Sequence, residues 1–162
     1  DLSMHARRIS PITVFHFVVG AFNQQRDTKG ILEILNQHHA APVNNPNGDA
    51  VREAIAEFAV SAEAGAHAME TGDIQSLGKA MDHVQNIYES NLADRFRIAE
   101  APQLFQACRQ LRKNGALGAK FSGAGGDGSI VALFPTENEA RSAAILMEEK
   151  GIHAWYAPAT TT

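Results

Sequence analysis

Apolar residues fill most positions from 12 to 22 (ITVFHFVVGAF), and β-branched and aromatic side chains dominate the run. A stretch of this kind reads as a strand buried on at least part of both faces. The period then changes. Ile31, Leu32 and Leu35 fall at helical spacing with Asp27 placed as an N-cap, so a helix is expected over 28–37. The Pro-, Asn- and Gly-rich stretch at 41–48 breaks the pattern as a loop.

From 49 to 71, Val51, Ile55, Phe58, Ala62, Ala66 and Met69 recur every three or four residues, the stripe of an amphipathic helix that Thr71-Gly72 ends. Asp73 can cap the next helix, in which Ile74, Leu77, Met81, Val84 and Tyr88 carry the same spacing to about residue 91. These two helices form a hairpin. A further helix is expected over 101–113, where Arg109, Arg112 and Lys113 oppose the dipole terminus and Gly115 can take the left-handed C′ conformation. Residues 117–121 and 129–134 read as short strands. Thr136 and Glu139 make a capping box that opens a helix ended by Gly151, and 152–156 is a final strand.

With the four central helices taken as one crossover, the order is β-α-β-β-α-β. The expected fold class is therefore α+β: a ferredoxin-like antiparallel sheet with helices on one face and an inserted helical hairpin. The 162 residues suit a single domain. Composition is that of an ordinary globular chain, 44% hydrophobic and 20% charged. The mild net charge of −4, without a basic patch, argues against nucleic acid as a partner. No apolar run approaches the roughly 20 residues of a membrane-spanning helix. Cys108 is the lone cysteine and cannot form an internal disulfide, so a reducing, cytoplasmic compartment is expected. The chain starts at Asp1 without a signal peptide and reads as a piece of something longer. Its seven histidines form no metal-ligand spacing.

The candidate chemistry lies between the two short strands, in Ser122, Gly123, Ala124, Gly125, Gly126, Asp127 and Gly128. Residues 123–128 match the dinucleotide fingerprint G-x-G-x-x-G, but that motif needs a helix directly after its glycines, and here the strand run SIVALF follows. A Walker A loop fails too, since no Gly-Lys-Ser/Thr closes the motif. Two readings remain: a glycine loop whose exposed main-chain N–H groups approach a phosphate or substrate, or a hairpin turn with no ligand.

Residues 114–133, NGALGAKFSGAGGDGSIVAL, closely resemble the third conserved motif of the GHMP superfamily, named for galactokinase, homoserine kinase, mevalonate kinase and phosphomevalonate kinase. The wording is nearest to the mevalonate branch. Arg26-Asp27-Thr28-Lys29 after the first strand is similar to the Asp-Thr-Lys of mevalonate and phosphomevalonate kinases. The resemblance implies that this chain is the C-terminal domain of an ATP-dependent small-molecule kinase, with Ser122 to Gly128 bordering the nucleotide phosphates and a hydroxyl or phosphate acceptor. ATP and Mg²⁺ would serve the full-length protein, none being held by this chain alone. The family's Pro-x-x-x-Gly-Leu-Gly-Ser-Ser-type loop and its acceptor-activating residues belong to an N-terminal domain, and no such stretch occurs here. This chain by itself is therefore expected to be inactive, without catalytic residues of its own.

Several candidates carry two readings. Asp127 departs from relatives that have glycine there; it either caps the turn or places a carboxylate beside ATP that only a cation could offset. Asp27, Thr28 and Lys29 are either substrate-facing or simply a helix cap and its first turn. Lys120 either approaches a phosphate or is a solvated lysine. A ferredoxin-like regulatory module that binds a small effector without catalysis is the competing function, although it has no need of the added helical hairpin.

Overall fold

The computed structural model describes residues 8–23, 27–97, 101–126 and 128–160. In chain order the elements are β1 (Phe15–Ala21), α1 (Thr28–His39), α2 (Pro46–Thr71), α3 (Ile74–Ile87), a π-helical turn (Tyr88–Ala93), α4 (Pro102–Lys113), β2 (Gly118–Ser122), β3 (Ser129–Phe134), α5 (Glu137–Glu149) and β4 (His153–Ala159). The strands form one antiparallel sheet in the order β2-β3-β1-β4. β3 thus lies between β1 and β2, and β1 between β3 and β4, so each helical crossover straddles one strand.

Local chemistry accounts for most boundaries. Asp27, Asp73 and Thr136 each accept a backbone N–H from the first turn that follows, as the sequence predicts. α2 starts earlier than its apolar stripe. Asn45 caps it through Asn47 and Gly48, and Pro46 occupies the first turn, where its missing N–H costs nothing. The first strand is shorter than its apolar run, since Ile12 to Val14 precede it and Ile12 is 65% exposed.

The α2-α3 hairpin packs beside β2 and reaches one end of the second sheet face, of which Trp155 remains 44% exposed. Val18, Ile130, Ala132 and Phe134 project to one side, into the main core with α4 and α5. Phe15 and Leu133 project to the other, against Ala68 of α2 and Leu77 and Met81 of α3. The hairpin α2-α3 is therefore part of the core. It needs apolar partners at both strand faces, and the unalternating runs of β1 and β3 supply them.

α3 also closes the outer edge of β2. Asp82 Oδ1 accepts Ala119 N at 2.9 Å and Gln85 Oε1 accepts Phe121 N at 2.7 Å. The two side chains stand three residues apart on one helix face and so match alternate outward-pointing N–H groups of the strand. Arg112 steadies Asp82 at 2.6 Å and donates to Ala119 O at 2.8 Å. An edge that would otherwise offer its amides to another chain is thereby satisfied within the fold. Gln85→Leu keeps the volume but strands the buried Phe121 N–H. It is expected to lower stability by about 1–3 kcal/mol, read as a reduced urea midpoint at unchanged slope.

Candidate functional site

The β2–β3 connection holds its shape because three of its glycines are in left-handed conformations: Gly123 at φ 81°, Gly125 at φ 85° and Gly126 at φ 65°. L side chains rarely adopt these angles. Gly123 is exposed, Ser122 and Ala124 are half-buried, and Gly125, Gly126 and Gly128 are buried. Asp127 lies outside the described residues. Among the described residues, the N–H groups of Gly123 and Ala124 have no hydrogen-bond partner. Successive amides in such a turn make an anion-binding concavity.

Beneath the loop stands Tyr88. Its side chain is fully buried, and its hydroxyl accepts Gly126 N at 3.1 Å. A Cβ on Gly125 would fall onto the Tyr88 hydroxyl and lie 2.6 Å from ring carbon Cε2. The phenol therefore occupies the space a side chain at 125 would need. Its ring packs at 4.3 Å on Phe121 and edge-on against Phe105 at 6.1 Å. Tyr88 opens the π-helical turn that continues α3, and such turns recur at functional sites.

The start of α1 comes to the same place. Phe22 N donates to Gly128 O at 2.9 Å, and Ile31 Cδ1 would be 3.3 Å from a Cβ on Gly126. Asp27 Oδ1 accepts Gly30 N at 2.8 Å, and glycine at 30 leaves room for that carboxylate. Thr28 and Lys29 are exposed at the helix start, Lys29 lying 3.6 Å from Glu33 one turn on. The two segments singled out in the sequence, a hundred residues apart, thus adjoin.

Residues 65–152 match the family described as GHMP kinases C terminal. The chain belongs to the GHMP kinase family. L. major mevalonate kinase in complex with R-mevalonate superposes with a TM-score of 0.72 at 19% identity, covering 96% of this chain and 45% of that one. For S. pneumoniae phosphomevalonate kinase in complex with phosphomevalonate and AMPPNP the values are 0.65, 17%, 93% and 42%. For homoserine kinase from Cytophaga hutchinsonii they are 0.53, 16%, 96% and 44%. At these identities the likeness is one of fold, and the chain spans less than half the length of each structure. Comparison with curated protein sequences gives no match.

Within this GHMP kinase C-terminal domain, Lys120 goes elsewhere. Its ammonium lines a groove between α2 and α3, donates to Phe121 O at 2.6 Å and lies 4.9 Å from the Phe121 ring centroid. Burial holds its pKa below the ordinary lysine value. Cys108 is buried at the α4 core face, and the same effect pushes its thiol up to about 12, so it stays protonated and inert. Among the described residues no group of three or more His, Cys, Asp or Glu side chains could hold a metal ion, and no helix is long and apolar enough to cross a membrane.

The sequence pattern marks Tyr88 only as one more member of the α3 stripe, and Gln85 as a polar position within it. The available signal is the interval of 38 residues between Tyr88 and Gly126, which only the packing of α3 along β2 turns into contact.

Proposed function

We propose that this domain forms one wall of the phosphoryl-transfer cleft of an ATP-dependent small-molecule kinase, with residues 122–128 bordering the phosphates and the exposed start of α1 facing the acceptor. The observation that carries the reading is the glycine loop itself: three left-handed glycines held from below by Tyr88, with amides at Gly123 and Ala124 that have no partner among the described residues, beside Thr28 and Lys29. A hairpin turn without a ligand needs no buried tyrosine to brace it. Two of the fold neighbours point the same way, one in complex with R-mevalonate and the other with phosphomevalonate and AMPPNP.

Mg·ATP supplies the phosphoryl group when bound. The donor set fits phosphate oxygens, because main-chain N–H groups can approach closely where no Cβ intervenes. This chain's part is positioning and electrostatic stabilisation, which is most of what phosphoryl transfer requires of a protein. Asp27 is engaged as a helix cap, and the exposed Thr28 and Lys29 are the groups that meet a hydroxyl or phosphate acceptor. The remaining nucleotide contacts and the activation of the acceptor come from an N-terminal domain of the same protein.

Calorimetry on the full-length protein is expected to register Mg·ATP binding, and ATP turnover is expected to require the full-length protein, the 162-residue chain alone being inactive. Absence of nucleotide binding by the full-length protein would overturn the kinase reading. Turnover by the 162-residue chain would overturn the division of labour between domains.

A further inference from the structure

The groove between α2 and α3 is separate from the glycine loop and is not used by the phosphoryl-transfer reading. It has a volume of about 450 Å³, within the range of roughly 300–1,000 Å³ typical of small-molecule pockets. Its walls are largely apolar: Phe58, Gly65 and Met69 from α2, Met81 and Val84 from α3, and Phe121 at the β2 end. Small residues, Ala62, Gly65, Ala66 and Ala80, line it between the larger ones.

Two polar groups interrupt these walls. Ser61 is 5% exposed, lines the groove, and its Oγ has no hydrogen-bond partner among the described residues. A buried hydroxyl left unsatisfied is disfavoured, and such groups call for a partner that the protein itself does not supply. Lys120 is the only charged side chain in the lining among the described residues. One of its three ammonium donors goes to Phe121 O and two remain.

We infer that this groove is a binding site for a small aliphatic carboxylate, its chain lying along the apolar walls, its carboxylate on Lys120 and its approach satisfying Ser61. A single cation in an apolar cleft matches a single negative charge, and a longer polyanion would leave charges unpaired against apolar walls. The site also has a path to the loop. Phe121, which forms its floor beside Lys120, packs at 4.3 Å on the same Tyr88 that holds Gly126.

Octanoate serves as the probe, titrated into the intact protein by calorimetry and followed by thermal shift, with octanol as the uncharged control. The expected result is saturable octanoate binding, tighter than that of octanol, and weakened about tenfold or more in Lys120→Met. Ser61→Ala is expected to raise the melting temperature of the free protein, because it removes an unsatisfied hydroxyl, and yet to weaken octanoate binding, a pair of effects that damage to the fold cannot produce. The inference is overturned by absence of octanoate binding to the intact protein, by unaltered affinity in Lys120→Met, or by octanol binding as tightly as octanoate. None of these outcomes bears on Mg·ATP binding, so the two readings fail separately.

Discussion

Gly125→Ala is expected to be among the most damaging single substitutions in the domain, with a loss of stability of about 3 kcal/mol or more. Two costs combine. A non-glycine residue at φ 85° carries a backbone penalty of roughly 1–3 kcal/mol. The new Cβ also falls onto the Tyr88 phenol, and overpacking of a filled core costs a further ~1–3 kcal/mol. Gly123→Ala separates them, since Gly123 has nearly the same φ of 81° but no atom within 4 Å of an added Cβ. It should lose only the backbone part. Urea denaturation of both variants reads the difference, and equal losses would refute the bracing role of Tyr88. A double-mutant cycle with Tyr88→Ala should recover part of the Gly125→Ala loss, because the two residues compete for one space. In the full-length protein Gly125→Ala is expected to depress ATP turnover further than stability accounts for, as the loop amides shift.

For Gly78→Ala two physical effects oppose each other. Gly78 lies inside α3, where alanine is the better helix former by about 1 kcal/mol, so propensity alone predicts a more stable protein. Packing predicts the reverse. A Cβ at 78 would fall on the Leu117 carbonyl oxygen and lie 2.7 Å from its carbon, while a Cβ on Gly118 would meet the Gly78 carbonyl oxygen and lie 2.8 Å from its Cα. Helix and strand thus touch backbone to backbone, and neither obstacle is a flexible side chain that can turn aside. The expected outcome is a net loss of about 2–4 kcal/mol, the overpacking term outweighing propensity. The displacement would also pull Asp82 and Gln85 off the β2 edge and carry Tyr88 with them. A raised melting temperature for Gly78→Ala would show that α3 does not sit on β2 in this way.

The contrast between these glycines bears on what can be read from a chain. The cluster from Gly123 to Gly128 is conspicuous in the sequence, and its surroundings of strand, loop and strand suffice to reject a dinucleotide site and to propose a phosphate-facing turn. Gly78 and Gly118 are silent there. Each looks like an ordinary glycine near the end or middle of an element, and their mutual contact spans forty residues. Likewise Lys120, one residue from Phe121 and two from Ser122, is placed by sequence at the mouth of the loop. The packing of α3 along the β2 edge leaves its ammonium in the α2–α3 groove, beside Phe121.

Element order, caps and the α+β class follow from local chemistry, because hydrophobic period, N-cap residues and β-branched runs act within a few residues of where they stand. The family is legible in the sequence too, since the match to the GHMP kinases spans residues 65–152 and includes the motif at 114–133. Other features depend on which surfaces meet: the hairpin α2-α3 packing on one end of the second sheet face, the β2 edge closed by Asp82 and Gln85, the tyrosine beneath Gly126, and the unsatisfied hydroxyl of Ser61. Local patterning states which face of an element is apolar. It leaves open which partner covers that face, since any apolar surface of the right size offers similar free energy until close packing and hydrogen-bond geometry select one.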